Sequence, residues 1–114
     1  MASPITDLDL LQGTLDLLIL KTLTWGPMHG YAVIRWIGDT TDADLHIEEG
    51  ALYTALHRME KREWLESEWG LSENNRKAKY YQLTALGRRQ LRAKADVWTR
   101  YAHAVFKVLQ TTTA

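Results

Sequence analysis

The chain contains no cysteine, which excludes disulfides, cysteine-ligated zinc and iron–sulfur clusters and fits a reducing compartment. Long hydrophobic runs are also missing. The longest uncharged apolar stretch, residues 17–20, lies between Asp16 and Lys21 and is far too short to span a bilayer. The first residues lack the basic-then-apolar order of a signal peptide, so the expected location is cytoplasmic, with no membrane partner. No GxSxG, no glycine-rich phosphate loop and no cysteine nucleophile is present, so no enzymatic activity is expected. The four histidines, His29, His46, His57 and His103, form no HxxxH. The pairing of His46 with Glu48 or Glu49 is the most metal-like grouping, and neither a metal nor any other cofactor is expected.

Net charge is missing as well: 14 Lys and Arg balance 14 Asp and Glu. The balance hides a segregation. Residues 1–57 carry two basic groups, Lys21 and Arg35, against eight acidic ones, whereas residues 58–114 carry twelve basic groups against six acidic ones. The halves therefore differ from −6 to +6, which is compatible with an electrostatic partner and equally with a solvated basic face. What remains is ordinary for one folded domain: 114 residues, 46% hydrophobic, 25% charged, two prolines and no low-complexity tract.

Apolar spacings of three and four predict a first helix over residues 8–25, ended by Gly26-Pro27. A second helix, residues 29–39, carries Tyr31, Ile34 and Ile37 on its inner face, and residues 39–44 (DTTDAD) read as a loop. A third, about residues 48–63, buries Leu52, Ala55, Leu56 and Met59. Its other face shows Gly50, Ala51, Tyr53, Thr54, His57, Arg58 and Lys61, with no acid between Glu49 and Glu60. The period then changes to two: Leu65, Ser67 and Trp69, and later Lys79, Tyr81 and Leu83, define two short strands. Between them Asn74-Asn75 suits a turn, which puts Arg76, Lys77 and Lys79 at or near a hairpin tip. Thr84 is the predicted N-cap of a last helix. Leu91, Ala95, Trp98, Ala102, Val105 and Leu109 form a heptad-like seam on it, beside a second stripe of Val97, Tyr101, Ala104 and Val108. Two apolar stripes on one helix call for two surfaces to cover them, and dimerisation supplies the second.

The fold this order defines is mainly α with a small β-hairpin: a winged helix-turn-helix over residues 1–83 and a C-terminal dimerisation helix over residues 84–114, forming one structural unit. Such a unit suits double-stranded DNA, with the third helix reading base edges in the major groove and the hairpin bringing cations to phosphates. Winged helices also serve as protein-interaction modules without direct DNA binding, so the topology alone leaves both readings open.

Four blocks, LLQGTLDLLILKTL, GPMHGYAVIRWI, EEGALYTALHRMEKREWLES and RKAKYYQLTALGRRQL, resemble the PadR family of bacterial transcriptional regulators in that order and spacing, over about residues 10–110. The resemblance is to the short branch, with a single long helix after the wing. It implies a homodimeric repressor that binds an inverted-repeat operator and is released by a small, often aromatic, effector.

Carried over residue by residue, Gly30 and Tyr31 match the HGY that opens the second helix; glycine permits a close helix approach, and Tyr31 has both the core and a phosphate within reach. Gly50, Leu52, Tyr53, Ala55 and Leu56 match the recognition-helix motif, with Tyr53 the first candidate for a DNA contact. Thr54 and His57 follow on the same face, Arg58 and Lys61 suit phosphates, and Arg76, Lys77 and Lys79 match the basic wing. The basic last-helix residues Arg88, Arg89, Arg92 and Lys94 read first as a solvated face, with a supporting phosphate contact open to Arg88 and Arg89 alone.

Ala51 stands where the family usually has Thr, and Thr54 where it has Pro. Glu48 or Glu49 replaces a small capping residue and favours the positive helix end. Trp64 stands where Gly commonly ends the recognition helix; because Trp resists a left-handed conformation, a different helix end is expected, with Trp64 packed on the wing base or the last helix. Trp25, Trp36 and Trp69 are expected in the core or at its edge. Trp98 is either a packing residue or, as the resemblance implies, the wall of an effector pocket. The dimer interface is expected to use Leu91, Ala95, Trp98, Tyr101, Ala102, Val105, Val108 and Leu109.

Overall fold

The computed structural model describes residues 5–6 and 13–112. Helix α1 (Thr14–Thr22) begins behind Gly13, whose φ of 87° only glycine adopts freely, so the predicted helix does not run unbroken through position 13. Residues 8–12, expected to open it, lie outside the described residues. A 3₁₀ turn, Leu23–Trp25, tightens the end of α1 and stops at Gly26 with φ 122°. Strand β2 (Met28–His29) leads into α2 (Gly30–Thr40), where His29 acts as the N-cap: its Nδ1 accepts from the Ala32 N–H at 3.1 Å.

The inner face of α2 is Gly30, Val33 and Ile37, with Ile34 partly buried against the same core; Tyr31, expected there, is instead 55% exposed. Helical spacing places Tyr31 beside Ile34, but Gly30 and Val33 take the side of the first turn that meets the core. After the loop, β3 (Leu45–His46) pairs in parallel with β1 (Ile5–Thr6), through Ile5↔Leu45 and Thr6↔His46.

Helix α3 (Glu49–Lys61) buries Leu52, Ala55, Leu56 and Met59, as its periodicity predicts. It ends in a Schellman motif: the Trp64 N–H reaches the Met59 carbonyl at 3.0 Å, the Glu63 N–H reaches Glu60 at 3.0 Å, and Glu63 takes φ 63°. The left-handed step thus falls on Glu63, one residue before Trp64. Trp64 is free to bury its ring on the last helix, with Arg62 and Lys94 on its faces at 5.2 and 5.1 Å.

The wing is a hairpin of β4 (Leu65–Leu71) and β5 (Lys77–Leu83), with β2 as a third strand on the far edge of β5 (Met28↔Tyr81, His29↔Tyr80). Its turn is closed by Ser72 N–H to Arg76 O at 2.8 Å, with Asn75 left-handed. Leu65, Tyr81 and Leu83 reach the core, but Trp69 does not: it is 62% exposed, because by that position the hairpin has left the body of the domain. Trp25 is exposed too, in a tilted contact with the partly buried Trp36.

Helix α4 (Ala85–Leu109) starts at Thr84, whose Oγ1 accepts from the Gly87 N–H at 3.0 Å. Leu86 and Leu91 pack on the common core formed by Leu20, Leu23, Val33, Ile37, Leu56 and their neighbours. Past Ala95 nearly every residue of α4 is exposed, the apolar ones included.

Candidate nucleic-acid interface

Helix α3 turns its core face inward through Leu52 and Leu56, and this leaves Tyr53, Thr54 and His57 on the outside. The wing rises beside it. Between them runs an open groove of about 530 Å³ that brings together six of the residues expected to meet DNA: Tyr31, Tyr53, His57, Arg76, Lys77 and Lys79. Thr54, His57, Arg58 and Lys61 line an adjoining depression with Arg62, which carries a further cation not anticipated from the sequence. Gly50 and Ala51 lie at the N-terminal end of α3 outside both.

The close approach at Gly30 is made by Tyr53. A Cβ at position 30 would stand 2.7 Å from the Tyr53 ring and hydroxyl, so the absent side chain of Gly30 is what lets Tyr53 lie across the start of α2. Burial of this ring, with the Glu49 charge nearby, raises its phenol above the usual range, so it stays protonated and can donate.

The basic residues differ in how free they are. Arg58 is bound to the buried Asp16 carboxylate, which ties α3 to α1; a phosphate would have to share it. Lys79 donates to Glu60 Oε1 at 3.3 Å, and Ser67 Oγ donates to Glu60 Oε2 at 2.5 Å. These bonds lock the base of the wing to the last turn of α3 and hold the Glu60 carboxyl below its usual range, the Ser67 bond contributing most. Arg76 is exposed, and Lys77 lies 4.8 Å above the Trp69 ring, so Trp69 belongs to the groove and not to the core. Opposite them, Arg35 in the middle of α2 stands over the ring of Tyr31, one turn earlier, at 5.7 Å. Neither Arg35 nor Trp69 was singled out for this face, since each depends on how α2 and the wing meet.

A second depression, of about 540 Å³, lies between α1 and α4, walled by Gly13, Leu17, Ala93, Lys94, Val97, Trp98 and Tyr101. Trp98 is 41% exposed, and its Nε1–H donates to Thr14 Oγ1 at 3.2 Å. Of the residues expected at a dimer interface, Leu91 packs on the chain's own core, whereas Trp98, Tyr101, Val105, Val108 and Leu109 are uncovered, together with Val97 and Phe106. His46 Nε2 lies 3.4 Å from Glu48 Oε1, and among the described residues no three metal-binding side chains cluster. Nor is any described helix long and apolar enough to cross a membrane.

Three helices, a sheet-backed wing on the edge of the third, and a cation-rimmed groove between them define a winged helix-turn-helix protein. The comparisons agree. Residues 19–93 match the transcriptional regulator PadR-like family, and a Lysinibacillus sphaericus protein is 32% identical over 90 residues, 79% of this chain and 83% of that one. A transcriptional regulator from Clostridium thermocellum is similar in structure at 30% identity and a TM-score of 0.76, over 84% of this chain and 90% of that one. A PadR family regulator from Eggerthella lenta is 34% identical at a TM-score of 0.74, over 89% and 86%. A PadR-like regulator from Bacillus cereus is 27% identical at 0.75, over 90% and 97%. The chain belongs to the PadR-like family of transcriptional regulators.

Proposed function

We propose that this regulator is a homodimeric, sequence-specific DNA-binding repressor. Helix α3 of each protomer enters the major groove, the two lying about 34 Å apart on an inverted-repeat operator. Tyr53, Thr54 and His57 face the bases, and Arg76 and Lys77 hold the backbone beside them. The observation that carries this reading is the single groove in which the outer face of α3 and the wing cations converge. The uncovered apolar end of α4 supports dimerisation, since so many exposed large side chains on one helix match an interface between copies. The depression beside Trp98 is the place for a flat aromatic effector. Its binding favours a spacing of the two heads that mismatches the operator and so releases it.

The test is selection of bound duplexes from a random pool, followed by titration of the recovered sequence over a salt series. Arg76→Glu with Lys77→Glu is expected to weaken binding at least about tenfold and to flatten the salt slope by about two per head. Unchanged affinity and slope would remove the wing from the interface, and recovery of no duplex at all would leave an acidic protein as the partner of this face. Sedimentation at micromolar concentration checks the dimer. Quenching of tryptophan emission by planar aromatic compounds, lost in Trp98→Ala, checks the effector site.

A further inference from the structure

Among the described residues lining the groove between α3 and the wing, Glu73 is the only acid. It sits in the wing turn, and its carboxylate points back across the groove: Oε1 lies 3.6 Å from Arg35 Nη2, and Oε2 lies 3.8 Å from His29 Nε2. An anion in a face built for a polyanion lowers affinity wherever it stays in place, so its position against Arg35 and His29 calls for an explanation.

We propose that Glu73 is an internal stand-in for a DNA phosphate: in the free protein its carboxylate occupies a phosphate site formed by Arg35 and His29, and operator binding displaces it. The inference rests on the DNA-binding reading above. Carboxylate and phosphate present similar oxygens to a guanidinium, so a site that takes one takes the other. The site is held ready. Arg35 is oriented over the Tyr31 ring, and His29 Nδ1 is engaged as acceptor of the Ala32 N–H, which leaves Nε2–H directed at Glu73. The occupant is held loosely. Both distances exceed those of hydrogen bonds, and the Arg35 and Glu73 side chains are each more than half exposed, as suits a contact made to be exchanged. Its own backbone N–H, then His29 and Arg35, keep the Glu73 carboxyl below its usual range, so it is ionised at neutral pH and competes as an anion.

The consequence is a filter. DNA that sets a phosphate in this corner recovers the Arg35 contact as Glu73 leaves, whereas DNA seated out of register meets the Glu73 charge without that return. The acid therefore separates operator from bulk DNA by repelling the wrong register.

Glu73→Gln keeps the shape and removes the charge. With a fluorescein-labelled duplex recovered by the selection above, the variant is expected to bind about two- to fivefold more tightly per head, with a salt slope steeper by about 0.9. Scrambled duplex should gain more than operator, so that selectivity falls. The decisive arm is the same substitution in an Arg35→Ala background. Displacement from Arg35 requires the gain on operator to shrink below about twofold there, while mere repulsion between Glu73 and DNA leaves it intact. An equal gain in both backgrounds, or no gain in either, overturns the proposal while leaving DNA binding standing. Failure of the wild-type protein to bind any selected duplex overturns both.

Discussion

The junction between the wing and α4 offers a sharp test of the packing, because it turns on one missing methyl group. Gly87 is the third residue of α4, and a Cβ built on it would stand 2.0 Å from the Trp64 carbonyl oxygen and 3.3 Å from Leu83 Cδ2. Carbon and carbonyl oxygen approach to about 3.3 Å at closest, so Gly87→Ala has to drive α4 off the wing base by more than about 1 Å. Overpacking of this kind costs about 1–3 kcal/mol. The Trp64 carbonyl also accepts the Thr84 N–H at 3.1 Å, and straining that bond adds about 1 kcal/mol. Alanine's helix preference returns about 1 kcal/mol. Since the obstacle is backbone, which yields least, the net loss should lie near the upper end, about 2–3 kcal/mol, or about 8–12 °C in melting temperature for a chain of this length. Gly38→Ala is the control: the added methyl meets nothing within 4 Å, so helix preference acts alone and stability should rise by about 0.5–1 kcal/mol. Urea unfolding followed by tryptophan emission, at one fixed protein concentration so that the proposed self-association would weigh equally on every variant, measures both. A Gly87→Ala midpoint at or above that of the wild type, or both variants moving in the same direction, would refute the close contact of α4 with Trp64.

Three further outcomes follow from other contacts. Glu63→Gly, which relieves the left-handed residue at the end of α3, should stabilise the fold by about 1 kcal/mol in the same urea assay. Asp16→Asn removes the buried partner of the half-exposed Arg58 and should cost about 1–2 kcal/mol, with the melting temperature falling accordingly. Because Glu60 has its carboxyl lowered in the folded state, its contribution is fully present above the ordinary carboxylate range and is lost as pH falls through the lowered value. Glu60→Gln should therefore flatten the acid limb of stability against pH, as followed by circular dichroism, and leave the alkaline limb alone.

How much of this was legible in the sequence depended on whether local pattern or tertiary meeting decided each feature. The buried face of α3, the paired strands of the wing and the Thr84 cap follow from periodicity and capping chemistry that act within a few residues, and they are found where expected. Tyr31 and Trp69 share the spacing of their apolar neighbours, yet both are exposed. Spacing says which residues share a face, but not whether the body of the domain is there to cover it. The pairing of Asp16 with Arg58, 42 positions apart, and of Glu73 with Arg35 arises only when separate elements are brought together. Trp64 shows the middle case: its reluctance to turn left-handed was legible, while the transfer of that turn to Glu63 required the geometry of the helix end.

The close seating of Gly87 against the Trp64 carbonyl also gives α4 a mechanical role. The helix is anchored where it leaves the wing base, and Trp64 is itself the residue that closes the end of α3, so the two helices meet through one residue. Over the 25 residues of α4, about 37 Å, a rotation of about 10° at one end is an arc of about 6 Å at the other. That is close to the 5.4 Å pitch of an α-helix and about half the width of a major groove. If α4 joins two copies as proposed above, residues 64 and 87 are the fulcrum of a lever, and a tilt of that size at the joined ends would shift each α3 by about half a groove width.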